Sequence, residues 1–142
     1  MTIGPDEILI ATAHGVGGSA KYAQTIRLGS HTLTSDEPAL HGGADAGPSP
    51  YGLVLAGLAA CTAITLRMYA DRKGWPLKRV TVDAVYHHAK EGAFIERVLH
   101  IDGDLDDEQR ARMADIAERT PVTLALKNVS DIRTRLGAAA SA

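Results

Sequence analysis

Residues 48–76 read PSPYGLVLAGLAACTAITLRMYADRKGWP, and this stretch decides the fold. Ser49 is a favoured helix N-cap, and Pro50 suits the first helical position. Gly74 is a favoured helix terminator, and the proline two residues later bars continuation. The pattern therefore predicts one long helix from Pro50 to about Lys73, the central element of the fold.

Three short strands are expected before this helix. Ile8–His14 has the composition of a strand, and Tyr22–Leu28 and His31–Thr34 flank Gly29-Ser30, a pair that suits a two-residue hairpin turn. The next segment, Asp36–Pro48, is rich in glycine and proline, so it is expected to form a loop without regular structure.

A second hairpin is expected after the helix. Val80–His87 alternates apolar and polar residues, which is typical of a half-buried strand. Lys90–Gly92 suits a turn, and Phe94–Ile101 is expected to return as the partner strand.

Two shorter helices are expected next. Asp106 and Gln109 have capping-box spacing, and Thr120-Pro121 repeats the cap-plus-proline signal for a helix that ends near Lys127. The apolar stripe of the first of these helices comprises Met113, Ile116 and Ala117.

The C-terminal segment is expected to add one more strand, Val129–Thr134, before a frayed end at Gly137–Ala142. Two groups of strands and a long helix predict an α+β fold, with antiparallel sheets around the central helix. A length of 142 residues suggests one domain, residues 1–142.

Composition and charge exclude several classes of function. The net charge of −2 and the aromatic content of 4% argue against a nucleic-acid or anionic-membrane partner. The longest apolar run, residues 53–66, is too short to cross a bilayer and is expected to be buried core. Met1–Glu7 has no apolar core of a secretory signal, and a single cysteine cannot form an intramolecular disulfide. We therefore expect a cytoplasmic protein.

Cys61, the one cysteine, is the first candidate for chemistry. It lies about three turns into the long helix, too far from that helix's N-terminus for its dipole to act. Gly57, one turn earlier, leaves space beside the sulfur. Without help from another element the thiol is expected to be inert, and free cysteines are often simply buried. The cations considered for activation are Lys21, Arg27, Arg119 and Lys127.

The histidines do not have the spacing of a metal site. His87 and His88 are adjacent on a strand, so their rings should point to opposite faces, although His100 could approach one of them across the sheet. A pair of ligands is short of a zinc site. We predict no metal and no cofactor.

Several separated motifs resemble the OsmC/Ohr family, which comprises osmotically inducible and organic hydroperoxide resistance proteins. The motifs are GPSPYGLVLAGLAACTAITLRMYA at residues 47–70, RKGWPL at 72–77, GDLDDEQR at 103–110 and TPV at 120–122. The resemblance implies an α+β fold in intertwined homodimers, with active sites at the subunit interface. It also implies reduction of organic hydroperoxides by a peroxidatic cysteine, a resolving cysteine and a dithiol reductant, often a lipoylated protein.

The family's residues carry over only in part. The resemblance places Cys61 at the peroxidatic position and Thr120 where the resolving cysteine would stand. A glutamate of the hydroperoxide-resistance branch is replaced by Tyr51. The arginine that this glutamate orients has no clear match, so Lys21 is the candidate stabiliser of a thiolate. The expected pocket residues are Tyr51, Gly57 and Leu58.

Two hypotheses stay open at this point. In one, the protein is a one-cysteine, thiol-dependent organic hydroperoxide reductase in which a small thiol or a lipoylated protein resets Cys61. In the other, it is a non-catalytic homodimeric binding or stress-associated protein with an inert Cys61, whose interface pocket holds an apolar small molecule. Both hypotheses include a homodimer.

Overall fold

The first sheet has three antiparallel strands in the order β1-β2-β3. The strands are β1 (Ala11–Gly15), β2 (Gln24–Leu28) and β3 (His31–Ser35) in a computed structural model that describes residues 10–15, 21–128 and 131–138. Gly29 has a φ of +59° at the predicted turn, and Leu28 pairs with His31, so the hairpin prediction is confirmed. β1 covers residues 11–14 of the first predicted strand and adds Gly15, while Ile10 precedes it; residues 8 and 9 lie outside the described residues.

The loop between β3 and the long helix is organised by a buried carboxylate. Asp36 accepts hydrogen bonds from the backbone N–H groups of Glu37 (2.8 Å), Ala44 (3.1 Å) and Ala46 (3.1 Å). The expectation of no regular structure is wrong in one detail, because Ala39–His41 forms a single turn of 3-10 helix. This loop delivers the chain to the start of the central helix.

The central helix, α1 (Pro50–Lys73), has the predicted bounds. The Ser49 hydroxyl accepts a hydrogen bond from Gly52 N (3.1 Å), and Gly74 closes the helix with a φ of +67°. Its buried side chains recur at helical spacing on one face and are Leu58, Cys61, Thr62, Leu66 and Ala70.

By length and composition α1 is the one helix in the described chain that could cross a membrane, with a mean hydropathy of 1.6 over its best window. That window is longer than the apolar run of residues 53–66. The helix nevertheless packs against the second sheet and both later helices, which is the place of a core helix.

The second sheet is a long antiparallel hairpin of β4 (Leu77–Ala89) and β5 (Gly92–Gly103). Both strands extend beyond their predicted limits. Gly103 has a φ of +147°, and a Cβ there would collide with the Pro76 carbonyl, so only glycine lets the two ends approach. One face of β4 covers α1.

Two helices complete the fold, α2 (Asp107–Ala117) and α3 (Pro121–Asn128). The predicted capping box is confirmed: Gln109 N donates to Asp106 Oδ1 (2.7 Å) and Asp106 N donates to Gln109 Oε1 (2.9 Å). The buried apolar cluster joins α1, β4 and α2 through Leu66, Ala70, Leu77, Leu105 and Met113. The observed α+β architecture, two antiparallel sheets and a long helix, confirms the predicted fold class.

The prediction of a last strand is wrong for the described residues of that segment, 131–134. Residues 131–134 have no regular structure, and residues 129 and 130 lie outside the described residues. Charged residues alternate with apolar ones, and Arg133 bonds Asp131 (2.8 Å), while Ile132 is 86% exposed. The segment therefore has no buried face against which a strand could pack. The predicted frayed end agrees with the irregular residues 137 and 138 and otherwise falls outside the described residues.

Candidate functional site

Cys61 lies on the buried face of α1 with 4% of its surface exposed. The helix fixes its position, because Leu58 precedes it by one turn and Thr62, its neighbour, is fully buried. The Thr62 hydroxyl donates to the Leu58 carbonyl (2.7 Å), which secures this turn of α1. The sulfur therefore points toward the elements that pack on this face.

The element that reaches the sulfur is the N-terminus of α3. Val122 N donates to Cys61 Sγ at 3.5 Å. Pro121 occupies the first helical position and has no N–H, so Val122 supplies the first free donor of the helix. A helix N-terminus favours a thiolate, as does an N–H that donates to sulfur. The helix dipole that reaches the thiol therefore belongs to α3 and not to α1, the helix that carries Cys61.

Arg97 on β5 ties these two elements together. Its Nη1 donates to Thr62 Oγ1 (3.0 Å) and to Thr123 Oγ1 (2.8 Å), and its Nη2 lies 3.6 Å from Glu118 Oε1. The side chain is only 11% exposed. This residue was not predicted from the sequence. Its only signal there is an arginine within the predicted strand Phe94–Ile101, where a charge is ordinarily solvated.

Thr120 is buried at the start of α3, with 1% of its surface exposed. Its hydroxyl lies 2.6 Å from the Thr123 hydroxyl rather than on a backbone N–H of the helix. Thr123 in turn donates to the Ala117 carbonyl (3.3 Å), so Thr120 is the donor within the pair. The Thr120 hydroxyl thus has its own structural partner.

A cavity of about 530 Å³ lies beside this cluster. Its charged lining residues are Arg97, Glu118 and Lys127, and its apolar ones include Leu58 and Phe94. Lys127 Nζ bonds Glu118 Oε2 (2.9 Å), and this hydrogen bond, followed by the charges of Lys127 and Arg97, holds the pKa of Glu118 below its usual value. The cavity therefore combines an apolar wall with a bonded charge cluster.

Of the three expected pocket residues, Leu58 alone lines this cavity. Tyr51 lines a separate cavity near the loop of residues 36–48, and its ring stacks on Tyr86, with centroids 4.9 Å apart. Desolvation, and to a smaller extent Tyr51, raises the pKa of Tyr86. A Cβ on Gly57 would meet nothing within 4 Å, so space is open there.

Among the four candidate cations only Lys127 lines the cavity. Lys21 Nζ lies over the Tyr22 ring (4.8 Å), and Arg119 bonds Asp115 (2.7 Å). Arg27 lies on β2 in the first sheet. In the described part of the chain no hydrogen bond joins any of these four residues to Cys61, whereas Arg97 bonds Thr62 and Thr123, the neighbours of Cys61 and Val122.

The histidines have other partners. His87 Nε2 lies 3.2 Å from Glu96 Oε1, and His100 Nε2 lies 2.8 Å from Asp83 Oδ2. The strand register pairs His100 with Thr81, so the approach of His100 to His87 or His88 is not formed. Within the described ranges no three potential metal ligands cluster.

Comparison with known proteins places these features in a family context. A family model described as OsmC-like protein matches residues 42–135. No curated protein matches the chain. Solved structures match the fold. An OsmC-like protein from Mycoplasma pneumoniae has a TM-score of 0.70 at 21% identity and covers 87% of this chain and 90% of its own.

Two further structures are described as organic hydroperoxide resistance proteins. The one from Legionella pneumophila has a TM-score of 0.63 at 24% identity and covers 88% of this chain and 93% of its own. The one from Bacillus subtilis has a TM-score of 0.58 at 23% identity, with coverage of 87% and 93%. At these identities the structural likeness establishes the fold.

Proposed function

This chain belongs to the OsmC-like protein family, and from that premise we propose that it is a one-cysteine, thiol-dependent organic hydroperoxide reductase with Cys61 as nucleophile. The observation that carries the proposal is the donation of Val122 N to Cys61 Sγ at 3.5 Å. It gives the otherwise apolar thiol a donor and the positive end of a helix, the setting in which reactive cysteines occur.

The first chemical step oxidises the thiolate. Cys61 attacks the terminal peroxide oxygen, an S–O bond forms, and the O–O bond breaks. The departing alkoxide takes up a proton and leaves as an alcohol. Sulfur is oxidised to a sulfenic acid and the hydroperoxide is reduced.

An external thiol then completes the cycle, because the chain contains one cysteine and the resemblance places Thr120 at the position of the resolving cysteine. The first external thiol condenses with the sulfenic acid, so that an S–S bond forms and water leaves. The second attacks the mixed disulfide and releases Cys61 as a thiolate. A small dithiol or a lipoylated protein supplies both equivalents from one molecule.

An apolar hydroperoxide suits the cavity beside Cys61. The cavity is lined by Leu58, one turn before Cys61, and by Thr123, next to Val122, so two of its lining residues flank the thiol contact. Phe94 and Leu126 extend the apolar wall. The two hydroperoxide resistance proteins share this fold, which agrees with the proposed substrate class.

The functional unit is proposed to be a homodimer in the cytoplasm. Only 28% of the apolar window of α1 is buried within one protomer, and Val54 and Ile64 are 44% and 45% exposed. A second copy of the chain would cover such a face, as the family resemblance implies.

A second candidate function has its own supporting observation. Cys61 is 4% exposed, and burial among apolar residues is typical of inert structural cysteines. In this case the protein is a homodimeric binding or stress-associated protein, and its cavity holds an apolar small molecule without turning it over.

A peroxidase assay separates the two functions. Wild-type protein and Cys61→Ser are compared for consumption of cumene hydroperoxide with dithiothreitol or dihydrolipoamide as the reductant. The reductase proposal predicts turnover by wild type and only the uncatalysed rate for the variant. Equal background rates for both proteins would eliminate the reductase and leave the binding protein.

A further inference from the structure

Arg97 differs from the other charged residues of its strand. The side chains of Glu96, His100 and Asp102 on β5 are each 55% exposed, whereas that of Arg97 is 11% exposed. A buried guanidinium is costly unless its donors are used. Arg97 uses them on side chains from two other elements, so its bonds define where those elements lie relative to each other.

The two bonded threonines directly follow the two residues of the thiol contact. Thr62 follows Cys61 on α1, and Thr123 follows Val122 on α3. A single nitrogen, Arg97 Nη1, donates to both hydroxyls, at 3.0 and 2.8 Å. It therefore spans the same junction as the 3.5 Å contact between Val122 N and Cys61 Sγ.

The hydroxyl bonds have a consistent direction. The Thr62 hydroxyl donates its hydrogen bond to the Leu58 carbonyl, and the Thr123 hydroxyl donates to the Ala117 carbonyl. Both oxygens are thus left as acceptors, which suits an arginine, a group that only donates. Loss of Arg97 would leave both acceptors without this donor and remove the link from α1 to α3.

We infer that Arg97 is a positioning residue that holds the N-terminus of α3 against the Cys61 sulfur by bonding Thr62 and Thr123 at once. This role rests on the proposed function for its chemistry, since Cys61 carries the reaction. The positioning itself can be measured through the reactivity of the Cys61 thiol, without any hydroperoxide. The charged groups at the adjoining cavity are Arg97, Lys127 and Glu118, and Glu118 lies within 4 Å of both cations.

The test is the pH profile of alkylation of native Cys61 by iodoacetamide. The chain has one cysteine, so labelling reports on Cys61 alone. Arg97→Gln is expected to raise the midpoint of the profile by about one pH unit, or ~10-fold slower labelling below the midpoint. Thr123→Val, which removes one acceptor, is expected to shift it in the same direction. The double variant should shift it no further than Arg97→Gln, because both changes break the same link.

Arg110→Gln is the matched control. Arg110 also donates from a partly buried guanidinium, to the carbonyls of Ile101 (2.6 Å) and Gly103 (3.0 Å), and neither of these is near the thiol contact. It is expected to lower thermal stability and leave the alkylation midpoint unchanged. If Arg110→Gln shifts the midpoint as far as Arg97→Gln does, the effect is general loosening and the positioning role is wrong.

Arg97→Lys keeps the charge but not the planar fork and is expected to give an intermediate midpoint. Arg97→Lys also takes the place of Arg97→Gln in the test if the glutamine variant does not fold. A wild-type midpoint in Arg97→Lys or Arg97→Gln, additive shifts in the double variant, or a wild-type thiol that reacts only after denaturation would each overturn the inference. A shifted midpoint without any hydroperoxide turnover by wild type would uphold Arg97 and reject the reductase.

Discussion

Two opposed effects act on the Cys61 thiol at the scale of the residue. Burial disfavours a charged sulfur and can cost several kcal/mol in a fully apolar site. A helix N-terminus stabilises a nearby negative charge by about 0.3–1 kcal/mol, and by up to ~2 kcal/mol where the site is partly buried. Both effects act at Cys61, because the residue is 4% exposed and its sulfur accepts a hydrogen bond from Val122 N. The inferred part of Arg97 is to keep this donor in place through its bonds to Thr62 and Thr123.

A cysteine introduced at residue 120 tests whether this position can act as the resolving position for Cys61. Thr120→Cys is expected to form a disulfide with Cys61 after one equivalent of cumene hydroperoxide, because Thr120 lies two residues before the contact with the sulfur. Mass spectrometry of a peptide digest prepared without reductant detects the disulfide. The double variant with Cys61→Ser is the control and should contain no such bond. Persistence of two free thiols in Thr120→Cys would show that the two positions are too far apart.

At the scale of the element, the loop of residues 36–48 depends on one carboxylate. The hydrogen bond from Ala46 N, followed by those from Glu37 N and Ala44 N, holds the pKa of Asp36 below its usual value. Since the folded pKa is the lower one, this stabilisation is fully present above the unfolded pKa of about 3.9 and is lost as the pH falls through the folded pKa.

Asp36→Asn should therefore lower the thermal midpoint at pH 7, and the gap to wild type should narrow toward pH 3. Asp45→Asn is the matched control, because Asp45 is exposed in the same loop with a φ of +53° that asparagine tolerates. Melting curves from pH 7 to pH 3 provide the measurement. A constant gap between Asp36→Asn and wild type over that range would contradict the role given to the carboxylate.

Elements with local signals could be predicted from the sequence, and contacts between elements could not. Ser49-Pro50 and Gly74 mark both ends of α1 because caps act through neighbouring backbone groups. The bonds of Arg97 depend on β5, α1 and α3 meeting, which no spacing along the chain reveals. Residues 131–134 have a composition that suits a strand, but they are exposed and pair with neither sheet, so the predicted last strand is wrong there.

At the scale of the whole molecule, the exposed apolar side of α1 predicts a dimer. Ile64→Glu places a charge on that side and is expected to convert a dimer of about 30 kDa, twice the 15.0 kDa chain, into monomer. Light scattering coupled to size exclusion gives the mass. Ile132→Glu is the control, since Ile132 is 86% exposed in the irregular C-terminal segment and should leave the mass unchanged. A wild-type monomer would contradict the proposed assembly.

The oxidation state of Cys61 after one turnover is the most direct test of the reductase. Reduced protein, freed of thiols, is mixed with one equivalent of cumene hydroperoxide and a sulfenic-acid trap such as dimedone, and then analysed by mass spectrometry. A one-cysteine reductase should give a trapped adduct on Cys61 and an equal amount of cumyl alcohol, because no second thiol in the chain can remove the sulfenic acid. Intact hydroperoxide beside an unmodified Cys61 would contradict it.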